Sequence, residues 1–81
     1  MNIYIGNLPY RISENEIKTA FSDHGDVESV VIIKDRQTGR SKGFGFVQMP
    51  NNDHAKVAMV EMDGKELGGR IIRVNAGSKK E

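Results

Sequence analysis

Residues 42 to 49 read KGFGFVQM, and the alternation of two phenylalanines with two glycines is where this sequence carries usable chemistry. A strand repeats every two residues, so Lys42, Phe44, Phe46 and Gln48 share one face and Gly43, Gly45, Val47 and Met49 the other. Turning the phenylalanines inward would bury Gln48 and leave Val47 and Met49 in water. The opposite orientation puts Val47 and Met49 in the core and lets Gly43 and Gly45 admit a close-lying helix. It also leaves both rings on an open face beside Lys42 and Gln48, and the alternation favours it. Flat rings flanked by cations suit unpaired nucleobases, because rings stack at roughly 1–3 kcal/mol per base while lysine or arginine meets phosphate.

Four strands must position such a face. Residues 2–6 alternate around Ile3 and Ile5, which sends Tyr4 outward with the phenylalanines. Residues 28–34 (ESVVIIK) form a second strand with Val30 and Ile32 inward and Val31 and Ile33 on the open face. The third strand is 43–49. The last lies in GRIIRVNA, with Ile72 and Val74 inward and Arg73 and Asn75 outward. Two helices complete the set. Ser13 and Glu16 form a capping box, Ile12 and Ile17 a hydrophobic staple, and Gly25 is expected to end the first helix. In the second, capped by Asn51 or Asn52 and ended by Gly64, Ala55, Ala58, Met59 and Met62 repeat at helical spacing and read as core. Two helices of this length cover one face of a four-stranded sheet, so the other is left to water. The polar loop DRQTGRS between the second and third strands brings Arg36 and Arg40 toward the Lys42 end of that face, as phosphate contacts.

Composition bounds the reading. Eighty-one residues make one small domain, with no cysteine for a disulfide, thiolate or metal-binding sulfur. His24 and His54 lack ligand partners at metal spacing, and they read as a helix-end and a solvated first-turn residue. Glu14, Glu16, Asp23 and Glu61 read as caps or solvated helix faces. No apolar run approaches the ~20 residues a membrane helix needs, and Met1 leads into the first strand without a signal-peptide pattern, so a cytosolic or nuclear chain is expected. Net charge is +1, but the sign alternates: residues 1–28 and 53–66 are net acidic, 34–49 and 70–81 net basic. If the basic segments share a face, a nearly neutral protein can still meet a polyanion.

IYIGNL (residues 3–8) and KGFGFVQM resemble the hexamer and octamer signatures of the RNA recognition motif (RRM) family. The resemblance covers about residues 2 to 76, and is strongest to the small single-RRM proteins of bacteria, which are little more than the domain itself; a cytoplasmic location is the expectation that follows. It implies an α+β, ferredoxin-like split βαββαβ fold, with two helices on one face of a four-stranded antiparallel sheet of order 4-1-3-2. Strands one and three are then the central pair. It further implies Tyr4, Phe44 and Phe46 as a stacking platform, Lys42 as a phosphate contact, and Arg73 and Asn75 as base-edge or backbone contacts. Asn7 orders the turn after strand one. Met49 stands where the family usually has an aromatic residue, at a core position. On this reading residues 1–76 are the domain and 77–81 a short, disordered basic tail. The implied partner is single-stranded RNA, about two to four nucleotides of it, with single-stranded DNA also admitted because stacking does not need the 2′-hydroxyl. A monomer without cofactor or metal is expected.

Two other classes compete. A peptide-binding RRM that takes a protein on its helical face uses Arg-x-Phe before the last strand, whereas this chain has Arg70-Ile71-Ile72. Acylphosphatases share the order of elements, but NLPYR offers Arg11 without a glycine-rich phosphate cradle. A non-catalytic binding domain is therefore the expectation, serving post-transcriptional regulation or RNA chaperoning.

Overall fold

In the computed structural model, residues 1–39 and 41–77 are described, Ser41 and Lys42 by their backbone alone. Strand β1 (Asn2–Gly6) leads to helix α1 (Glu14–Ser22), then β2 (Ser29–Lys34) and β3 (Ser41–Gln48), helix α2 (Asn52–Met62), a short hairpin β4 (Glu66–Leu67) and β5 (Arg70–Ile71), and β6 (Arg73–Ala76). The main sheet runs β2-β3-β1-β6, antiparallel throughout. With β6 as the fourth long strand, this is the expected 4-1-3-2 order read from the other edge.

Burial follows the two-residue repeat. Ile3, Ile5, Ile32, Val47, Ile72 and Val74 are buried under the helices with Met49, and the helices return Ile17, Phe21, Ala55, Ala58 and Met62 to the same core. The α1 start forms as the capping box requires: the Ser13 hydroxyl accepts from Glu16 N (3.1 Å), and Glu16 Oε1 accepts from Ser13 N (3.1 Å). Ile12 and Ile17, the staple pair, are both buried. Asn51 caps α2, its Oδ1 accepting from Asp53 N (2.9 Å) and His54 N (3.0 Å).

Several local expectations are corrected. Helix α1 stops at Ser22 with Asp23 as its C-cap, so Gly25 lies beyond the end rather than at it. Gly25 instead sits at φ +149° with the His54 side chain against it: a Cβ there would lie 2.3 Å from His54 Cβ. His54 is thus half-buried between the helices, not solvated, and its Nδ1 accepts from Asp26 N (3.3 Å). Glu14 is not a free surface acid either, because its Oε2 accepts from Ile32 N (3.1 Å) on the outer edge of β2. Gly45 does not admit a helix. A Cβ at Gly45 would meet the Val31 carbonyl oxygen at 2.3 Å, so the glycine lets β3 crowd the β2 backbone beside a register shift.

GRIIRVNA does not make one strand. Gly68 and Gly69, at φ +61° and +91°, form the two-residue turn of the β4–β5 hairpin, which needs positive φ at both positions. The signal was present as Gly-Gly between Leu67 and Arg70. Gly77, assigned from sequence to the tail, continues the sheet by donating its N–H to the Asn2 carbonyl (2.7 Å). Residues 78–81, the rest of the expected tail, lie outside the described residues.

Candidate nucleic-acid interface

Strand register assembles the open face into rows. Antiparallel partners point the same way, so Val31, Phe46, Tyr4 and Asn75 form one row across all four strands. Ser29, Gln48 and Asn2 form the row on one side, and Phe44, Gly6 and Arg73 the row on the other. Tyr4, Phe44 and Phe46 are only partly buried, and none belongs to the core under the helices. Their rings touch. Tyr4 lies 6.0 Å from Phe44, centroid to centroid, at an interplanar angle of 33°, and 5.9 Å from Phe46 at 66°. The Tyr4–Phe44 pair is tilted and the Tyr4–Phe46 pair edge-on, both at the centroid separation of favourable aromatic pairs.

Gly6 completes the platform, which strand parity alone does not reveal. It occupies an open-face position yet is buried. The cover is Tyr4: a Cβ on Gly6 would stand 2.7 Å from the tyrosine hydroxyl and 3.1 Å from the ring. Tyr4 therefore reclines along its own strand over Gly6, which brings it level with Phe44. Val31 extends the same row on β2 and is 49% exposed, so the apolar surface continues past the rings as parity implied.

The polar candidates divide. Asn75 and Arg73 are exposed on β6 beside Tyr4 and Gly6, and Gln48 is half-buried opposite Asn2. Arg73 is not free: its Nε lies 3.6 Å from Asp63 Oδ1, which also accepts from Val74 N (2.9 Å). Arg36 is exposed in the turn after β2, outside the rows. That turn is held by Asp35, whose Oδ1 accepts from Gln37 N (2.8 Å) and Thr38 N (3.2 Å). Arg40 and the Lys42 side chain lie outside the described residues and atoms. Asn7, at φ +57°, does order its turn. Its Nδ2 donates to the Ile71 carbonyl (2.6 Å) and its Oδ1 accepts from Arg70 Nη2 (2.6 Å). Among the described residues no three His, Cys, Asp or Glu side chains group to hold a metal, and no helix is long and apolar enough to cross a membrane.

A four-stranded antiparallel sheet with helices on one face and touching rings on the other defines a platform-type binding domain. The chain belongs to the RNA recognition motif family, whose model matches residues 3–73. Over its whole length it is 46% identical to the putative RNA-binding protein RbpD of Nostoc sp., covering 86% of that protein. It is 45% identical, over 96% of its length, to the chloroplastic RNA-binding protein CP31B of Arabidopsis thaliana, of which it spans 27%. Among solved structures, the RNA-binding protein PG1 superposes with a TM-score of 0.93 at 41% identity, covering 100% of this chain and 98% of that one. The Rna15 RRM with bound RNA (GU) superposes with a TM-score of 0.85 at 30% identity, covering 99% and 85%.

Proposed function

We propose that this chain is a non-catalytic RNA-binding domain that takes single-stranded RNA on its open sheet face. The observation that carries the reading is the contact of Tyr4, Phe44 and Phe46 on the face the helices leave uncovered. Three partly exposed rings on a wetted surface are costly unless a ligand covers them. Bases stacked on Tyr4 and on the phenylalanines would be bordered by Asn75 and Gln48 as edge contacts and by Arg73 and Lys42 as phosphate contacts. Arg36 and Arg40 would add charge from the β2–β3 loop. Family membership, and an RNA-bound RRM among the structural neighbours, support the ligand class. Stacking supports single-stranded DNA as a second ligand, because it does not use the 2′-hydroxyl. The proposed setting is a cytoplasmic monomer engaged in post-transcriptional regulation or RNA chaperoning.

The test is substitution of the platform. Phe44→Ala and Phe46→Ala should each weaken binding of a short single-stranded RNA by about 1–3 kcal/mol, read by fluorescence anisotropy, with the fold retained by circular dichroism. Unchanged affinity in the double variant would sink the proposal.

A further inference from the structure

Arg70 was not a candidate RNA contact from sequence, where it mattered only as the arginine of an incomplete peptide-binding signature. The structure gives it a different standing. Its Nη2 donates to Asn7 Oδ1 at 2.6 Å, and Asn7 is itself anchored because its Nδ2 donates to the Ile71 carbonyl at 2.6 Å. The same asparagine is thus bonded to both residues of β5 and adopts a left-handed backbone, φ +57°, to do so. Asn7 directly follows Gly6, the position over which the Tyr4 hydroxyl lies and which faces both Phe44 and Arg73 across the sheet. The guanidinium of Arg70 is therefore bonded to the residue that directly follows the platform position Gly6.

The charge of Arg70 is also available. Its partner is a neutral amide, and among the described residues no carboxylate lies within ion-pair distance of it. Arg73, by contrast, shares its charge with Asp63. A guanidinium has five N–H donors in a planar fork, and the Asn7 bond uses one, which leaves enough for a bidentate contact with a phosphate. Fixing the side chain beforehand removes part of the rotamer entropy that an exposed arginine would otherwise lose on binding.

We propose that Arg70, positioned by Asn7, is a phosphate contact of the nucleic-acid interface, beside the platform end marked by Gly6. The inference rests on the RNA-binding reading above. It is tested with the full chain and a fluorescein-labelled pool of short random single-stranded RNA, with affinity measured across a potassium chloride series. Arg70→Gln should weaken binding about threefold to tenfold at low salt and reduce the magnitude of the log–log salt slope by about 0.7, one phosphate on a single strand. Arg70→Lys should restore the slope while recovering part of the affinity, because the charge returns without the fork. Asn7→Gly, which keeps the left-handed backbone and removes the amide, should weaken binding with the slope nearly kept.

A slope unaltered in Arg70→Gln would overturn the assignment, as would a loss confined to guanine-containing RNA, which would make Arg70 a base reader. Equal loss of affinity and slope in Arg70→Lys and Arg70→Gln would reduce Arg70 to a structural latch. If the unaltered chain bound no RNA, the functional reading would fall first and this one with it. Binding by the unaltered chain that is indifferent to Arg70 would overturn this inference alone.

Discussion

At the scale of single residues, the platform depends on one side chain that is missing. Tyr4 can recline between Phe44 and Phe46 only because Gly6 presents no Cβ beneath it. Gly6 does not need a left-handed backbone, and the nearest atoms an added Cβ would meet are those of the Tyr4 side chain. Gly6→Ala should therefore leave the protein folded but swing Tyr4 off the sheet. The expected readouts are a changed tyrosine fluorescence and RNA binding weakened by up to about the value of one stacked base, roughly 1–3 kcal/mol. Unaltered binding and spectrum would show that the tyrosine finds an equivalent pose. The two-residue repeat along β1 and β3 sets the facing of Tyr4, Phe44 and Phe46. Parity could not reveal the lean of Tyr4 along its own strand, which depends on a rotamer and on the space at Gly6. Nor could it show that Arg73 shares its charge with Asp63, since that pair joins the end of α2 to β6 across ten residues of chain.

At the scale of elements, the helices do more than cover the sheet. Each outer strand has a backbone N–H on its free edge satisfied by a carboxylate: Ile32 by Glu14 at the start of α1, and Val74 by Asp63 at the end of α2. Both acids blunt an edge that could otherwise pair with another chain. The helices also meet one another, through His54 of α2 resting on Gly25 after α1. Gly25→Ala should be among the more destabilising single changes outside the core. It combines a left-handed backbone angle with a Cβ that has no room, and it should cost about 1–3 kcal/mol in a urea melt. The RNA affinity of the fraction that stays folded should be unchanged, because the junction lies under the face opposite the rings. Stability equal to that of the unaltered protein would mean the helices can separate without penalty.

At the scale of the whole molecule, a chain of net charge +1 cannot rely on a general electrostatic field to hold RNA. Affinity must come from stacking and from a few placed cations. The salt dependence should therefore be shallow, with a log–log slope of about −1.4 to −2.8 for two to four phosphates neutralised on a single strand. A much steeper slope, measured by anisotropy over a potassium chloride series, would mean that binding spreads beyond the platform. The core is likewise shared among all the long elements. Ile5 sits at its centre, fully buried between β3 and β6, and Ile5→Ala should cost about 2–5 kcal/mol in stability. A loss much below that, in the same urea melt, would show that the sheet does not need this central contact.

By itself the sequence determined that Ile3, Ile5, Ile32, Val47, Ile72 and Val74 face the core and that Tyr4, Phe44 and Phe46 face away from it, where α1 begins, and the order of the four long strands and two helices. Those properties depend on short repeats and on cap residues within a few positions of one another, so they can be read along the chain. Only the tertiary structure decided that Tyr4 lies over Gly6, that His54 packs on Gly25, that Glu14 and Asp63 seal opposite edges, and that Asn7 grips Arg70. Each of those contacts joins side-chain atoms to a backbone or rotamer that no periodicity encodes. Most also bring together residues far apart in the chain, at distances that exist only once the sheet has closed.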